Sequence, residues 1–155
     1  MNRAGRNDKG FESRAYLSRV LTEDRVVDAV CRRLAEAGWA IEERAGLTDH
    51  GHDVVATKGD RRLIVEAKGA GSARSGSARF GQRFSSGQVF DHVAKAVLKA
   101  LRALDSGHLG AVALPKDAHH LREIASVRKS LRAIGVGVLW VDEDGAVELS
   151  APWRI

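Results

Sequence analysis

The run Leu63-Ile64-Val65 followed at once by Glu66-Ala67-Lys68 constrains this chain more than any other segment. Three consecutive branched apolar residues read as a strand buried on both faces. A charge at the end of such a strand is expensive unless it is paired or binds a metal. Upstream stands Asp49-His50-Gly51-His52-Asp53-Val54-Val55-Ala56, with a turn at Lys58-Gly59-Asp60 between the two segments. Two short strands joined by that turn would bring Asp53 and Glu66 to the same end of a hairpin. Strand side chains alternate, so Glu66 and Lys68 point to one side and Ala67 to the other. Two carboxylates and an amine would then meet where the second strand leaves the core. Such a set suits a hard divalent cation, since Mg²⁺ takes one or two carboxylates and keeps several waters. A plainer arrangement is also open: Asp53 and Lys68 pairing across a solvated hairpin.

Gly51-x-Asp53 followed by Glu66-x-Lys68 resembles the PD-(D/E)XK nuclease superfamily. Within it, Asp49-x-Gly51-x-Asp53 most resembles the catalytic domain of Mrr-type restriction endonucleases, and archaeal-type Holliday junction resolvases are similar too. By motif order the resemblance covers about residues 22 to 115. It implies a restriction-endonuclease-like α/β core, α-β-β-β-α-β, and metal-dependent hydrolysis of DNA phosphodiester bonds with Mg²⁺ or Mn²⁺. It further implies that Asp53 and Glu66 bind the metal, that the Ala67 carbonyl ligates it, and that Lys68 is catalytic. Asp49 and His52 would support the site from behind. The chain departs from the pattern in places: His52, not proline, precedes Asp53, and Glu66 stands where many Mrr-type domains carry Gln. The first-helix acid of the family has three candidates here, Glu23, Asp24 and Asp28.

The remaining pattern reads as α-β-β-β-α-β-α-β-β. Polar residues 1 to 10, with Arg3, Arg6 and Lys9, read as a flexible basic arm, and 11 to 155 as one domain. Tyr16, Leu17, Val20 and Leu21 suggest a short helix over 11–21. Thr22 is an N-cap candidate for a helix that stops at Gly38, with Val26, Val27, Val30, Leu34 and Ala37 inward. Strands are expected over 39–44, 53–58 and 62–68. A strong amphipathic helix follows over 87–104, with Val89, Val93, Val97, Leu98, Leu101 and Leu104 inward. Then come a strand at 109–114 ended by Pro115, a helix at 117–134 closed by Gly135, and strands at 136–141 and 146–149. This is a mixed central sheet flanked by helices, with an extra C-terminal helix and strands.

Between Gly69 and Ser86 lies a long loop with no acid, three arginines (Arg74, Arg79, Arg83) and two phenylalanines (Phe80, Phe84). It begins one residue after Lys68, so it should lie beside the carboxylates. Arginine would meet phosphates there, and Phe80 or Phe84 would stack on an unpaired base. A solvated linker with docked phenylalanines satisfies the same composition. Ser86, at the start of the next helix, is a candidate phosphate contact. Gln88 has two readings. Ser85 and Gln88 form a capping box; related nucleases also place a Gln on this helix near the metal. His92, one turn on, reads as a packing histidine. His119-His120 reads as solvated, and His50 with His52 lacks the partners of a closed zinc site.

The net charge of +5 and an isoelectric point near 9.8, with arginine outnumbering lysine, suit phosphate binding. Single Cys31 reads as a small hydrophobe in a reducing compartment. No apolar run approaches membrane-spanning length, so a cytoplasmic location with no membrane partner is expected. DNA, double-stranded or branched, is the expected partner. A homodimer or a larger repair or restriction complex would supply a second active site or target recognition. A non-catalytic nucleic-acid-binding module or a protein-interaction domain on the same fold are the alternatives.

Overall fold

The computed structural model describes residues 20–45, 51–72 and 81–155. They form an α/β unit whose centre is a six-stranded open sheet in the order β1-β2-β3-β4-β5-β6. The strands are β1 (Ala40–Arg44), β2 (Val54–Lys58), β3 (Arg61–Ala67), β4 (Leu109–Pro115), β5 (Gly137–Val141) and β6 (Val147–Ser150). Three helices accompany them among the described residues: α1 (Glu23–Glu36), α2 (Ser86–Asp105) and α3 (Ala118–Ile134). β1, β2 and β3 pair antiparallel, β3, β4 and β5 parallel, and β5 with β6 antiparallel. The element order agrees with that read from the sequence. The predicted helix over 11–21 and the basic arm fall mostly or wholly outside the described residues.

The sheet divides the core. α1 presents Val26, Val30 and Leu34 to the face carrying Val54, Leu63, Val65, Ala111, Ala113 and Leu139. α2 and α3 cover the other face, where Val112, Leu114, Val138 and Trp140 meet Val89, Val93, Ile124 and Leu131. Both helices fall on one face because β3, β4 and β5 advance in one direction, and crossovers of one hand then lie on one side. The caps are as the residues dictate. Thr22 accepts from the Arg25 amide at 3.4 Å, and Asp117 accepts from the amides of His119 and His120 at 3.0 Å.

The inward stripe of α2 differs from the sequence expectation. Leu98 is 49% exposed, and Ala96, Ala100 and Ala103 are buried in its stead. Small residues let the helix backbone approach β4: a Cβ on Gly110 would lie 2.3 Å from the Ala100 carbonyl oxygen. Hydrophobicity alone ranks leucine above alanine, but the separation of helix and strand selects the smaller side chain. Pro115 belongs to β4 rather than ending before it, paired with Val141. Its missing N–H is tolerated because β3 has already ended opposite Ala113.

Candidate carboxylate and lysine site

The tight Lys58-Gly59-Asp60-Arg61 turn sets the β2–β3 register, pairing Val54 with Val65. Continued by one residue, that register places Asp53 opposite Glu66. β1 still holds the backbone there, since the Ala45 amide donates to the Asp53 carbonyl at 2.9 Å. Asp53 ends the ladder by turning its side chain into it: Oδ2 accepts from the Ala67 amide at 2.7 Å. In an antiparallel strand a residue's N–H and C=O share one edge. The Ala67 carbonyl therefore faces the same gap that β2 leaves.

Glu66 is 4% exposed, a buried carboxylate at the carboxyl end of a parallel strand. Its Oε1 accepts from Lys68 Nζ at 2.7 Å and from Lys99 Nζ at 2.8 Å. Its Oε2 is buried and has no hydrogen-bond partner. Lys68 Nζ also lies 3.7 Å from Glu23 Oε2 and 3.9 Å from Asp53 Oδ2. Three carboxylates thus surround one ammonium. Among the described residues, no three His, Cys, Asp or Glu side chains enclose a metal ion by themselves.

Glu23 reaches this cluster because Gly69 lets two segments touch. A Cβ on Gly69 would lie 2.5 Å from the Glu23 amide nitrogen and 2.9 Å from the Thr22 carbonyl carbon. The Ala70 amide donates to the Leu21 carbonyl at 2.7 Å, fixing the first turn of α1 against the exit of β3. Of the three candidate first-helix acids, Glu23 is the one beside Lys68. Asp28 pairs with Arg44 instead.

The electrostatics follow from crowding. Burial pushes the Asp53 carboxyl up to about 6, helped by Glu66 and Glu23 and opposed by the Ala67 amide and Lys68. Burial works against the Lys68 charge, yet Glu23, Glu66 and Asp53 outweigh it and hold the amine above its ordinary value. Burial, with Lys68, Lys95 and His120, holds His92 below the usual histidine value.

The other sequence candidates sit further out. Gln88 and Ser85 form the capping box: the Ser85 amide donates to Gln88 Oε1 at 2.9 Å, and Ser85 Oγ accepts from the Gln88 amide. The Gln88 carbonyl oxygen is thereby engaged. Ser86 opens α2 and is exposed. Arg83 lies 3.9 Å from Glu143 and bridges Gly71, so the stem of the long loop is a small antiparallel pair. Phe84 is docked, edge-to-face with His92 at 4.5 Å. His52 is exposed. Asp49, Arg74, Arg79, Phe80 and His50 lie outside the described residues. The solvated reading of His120 is corrected: it is fully buried, with Nδ1 2.9 Å from Asp117 Oδ1. The Asp117 carboxylate that caps α3 also holds the imidazole, which draws the ring inward.

Lys99 was not singled out by its sequence context. A signal exists: Gln88, His92, Lys95 and Lys99 recur at steps of four, three and four, a polar stripe along one side of an amphipathic helix. A stripe of that kind on a helix packed over a sheet asks for a buried charge beneath it, and Glu66 supplies one.

No protein-family model matches this chain, and no curated protein does.

Proposed function

We propose that this chain is a metal-dependent nuclease that hydrolyses DNA phosphodiester bonds, built on a restriction-endonuclease-like core. The supporting observation is the convergence of Glu23, Asp53 and Glu66 around Lys68, with the buried Glu66 Oε2 lacking any partner. An orphaned buried carboxylate oxygen calls for an ion or a water. The donor set fits Mg²⁺ or Mn²⁺: Asp53, Glu66, Glu23 and the Ala67 carbonyl are all hard oxygens. Three carboxylates against Lys68 and Lys99 also leave one negative charge for a cation to balance. When bound, such an ion activates water and stabilises charge growing on the phosphate.

The chain's own residues divide the remaining work. Lys68 stays protonated, so it does not take a proton from the attacking water. It donates hydrogen bonds, orienting that water or stabilising the anionic transition state. Lys99 holds Glu66 from the α2 side and keeps its carboxylate aimed. Arg74, Arg79 and Arg83 on the long loop, with Ser86 at the start of α2, contact the DNA backbone. Gln88 steadies the start of α2. The substrate is double-stranded or branched DNA, cut under structural guidance, by a homodimer, or within a repair or restriction complex.

One observation favours a second reading. The two ammonium groups on Glu66 Oε1 form an ion-pair cluster that holds without a metal. A nucleic-acid-binding module with no activity would retain that cluster. The decisive experiment incubates the chain and Asp53→Ala with plasmid, linear and branched DNA in Mg²⁺, Mn²⁺ or EDTA. Cutting that requires metal and Asp53 is the expected result. DNA binding unchanged by EDTA, with no cutting on any substrate, overturns the nuclease reading.

A further inference from the structure

A second feature lies away from the carboxylates, on the sheet face shared by α2 and α3. α3 leans chiefly on α2, and a groove of about 510 Å³ opens between α3 and strands β4 to β6. Its floor is apolar, built from Leu121, Ile124, Val138 and Trp140. Its rim is basic: Lys116, Arg128, Lys129 and Arg132 line it, against the single acid Glu148. Glu148 is already engaged by Lys116 at 2.6 Å. Arg128, Lys129 and Arg132 are exposed and make no ion pair among the described residues.

We infer that this groove binds single-stranded nucleic acid, with phosphates on the basic rim and bases against the apolar floor. Charge selects the class of occupant, because three unpaired cations around an apolar trough complement an anionic partner with apolar surface. The basic segment 1–10 of this chain has the wrong sign to fill it. Arg128 and Arg132 stand one helical turn apart on one face, so successive phosphates of an extended strand can each meet a guanidinium. Leu121, 40% exposed, offers a base apolar surface, and Trp140, 8% exposed in the floor, lies close enough to report an occupant. Duplex DNA meets only the rim, since its bases are turned inward. Lys116 follows β4 directly as Lys68 follows β3, so the Lys116 end of the groove lies at the end of the parallel strands where the carboxylates gather, while the groove itself runs along β5 to Val136 and Ser150. This inference goes beyond the nuclease reading and does not require that the chain cut DNA.

The test uses the full chain in EDTA with a fluorescent oligothymidylate of about 15 nucleotides, near the upper site size of ~4–16 for single-strand binders. A duplex of equal length is the comparison. The single strand is expected to bind more tightly than the duplex and to quench tryptophan fluorescence, and Trp140→Phe is expected to remove the quench. Arg128→Glu with Arg132→Glu is expected to weaken single-strand binding by about tenfold or more. Ala125→Phe fills the groove from an exposed position without changing charge. It is expected to weaken single-strand binding and leave duplex binding unaltered. Circular dichroism and melting confirm that each variant is folded. Unchanged single-strand affinity in Ala125→Phe would reduce the rim to surface charge and overturn the inference. So would a Leu- and Glu-rich amphipathic peptide that binds in the groove where the oligonucleotide does not.

Discussion

Asp53 is held in a state that stability would not choose. Between about pH 4 and pH 6 the folded chain keeps a proton on Asp53 that the unfolded chain has lost. Its contribution to stability is therefore full below the unfolded value and falls as pH rises through that window. At pH 8 in EDTA, Asp53→Asn is expected to stabilise the fold, by on the order of 1–3 kcal/mol in urea denaturation, because the amide keeps an acceptor for Ala67 without the charge. A divalent cation should reverse the ranking above pH 6, since binding requires the ionised carboxylate. A less stable Asp53→Asn in EDTA would show that the site is not strained by charge. Lys68 makes the complementary case. If the proposed nuclease function holds, Lys68→Ala is expected to lower cleavage by about 10²–10³ with DNA affinity nearly intact, because the ammonium would then act on charge that develops only in the transition state. Lys99→Ala, which leaves Lys68 in place, is expected to give a smaller loss in the same cleavage assay.

The site exists because a turn and two close approaches fix the ends of β2, β3 and α1 together. Gly69 is the hinge of that arrangement. Gly69→Ala forces its Cβ into the first turn of α1, and is expected to cost about 1–3 kcal/mol in stability through that overlap and to displace Glu23 from Lys68. Melting of the variant tests the first effect and metal titration the second. The long loop permits a cleaner experiment. The Gly81 amide donates to the Ser72 carbonyl at 2.9 Å, so the loop closes on itself at its stem. Replacing 73–80 by a short turn is expected to leave the melting temperature unaltered and to weaken DNA binding, with a shallower salt dependence as Arg74 and Arg79 are lost. Affinity that survives the deletion would remove the loop from the interface.

Across the whole molecule, the sheet sorts charge by position. The carboxylates gather at the carboxyl end of β3, under α2, where neighbouring parallel strands stop together. That is where open α/β sheets present their ligand crevices. At the β1 edge, Arg62 faces Glu42 and Glu43, and the edge strand stays charged and largely exposed. Such an edge resists pairing with other chains. Among the described residues, basic groups outnumber acids on α3, whose Arg128, Lys129 and Arg132 are exposed.

The local pattern was sufficient for the elements and for half of the site. Alternation and turn chemistry placed β2 and β3 to within a residue at each end and put Asp53 and Glu66 at one end of the hairpin; the two-residue turn, which leaves no freedom to slip, then sets them opposite each other. Capping residues and apolar periodicity marked α1, α2 and α3 for the same reason: these are interactions between near neighbours in the chain. What joins distant segments was decided only in three dimensions. Glu23 was one of three equal acids until Gly69 let the exit of β3 touch the start of α1. Lys99 lay 33 residues from Glu66 until Ala100 seated α2 on Gly110. His120 read as solvated until Asp117 turned it inward. Each depends on a close contact whose partner the chain's local spacing does not specify.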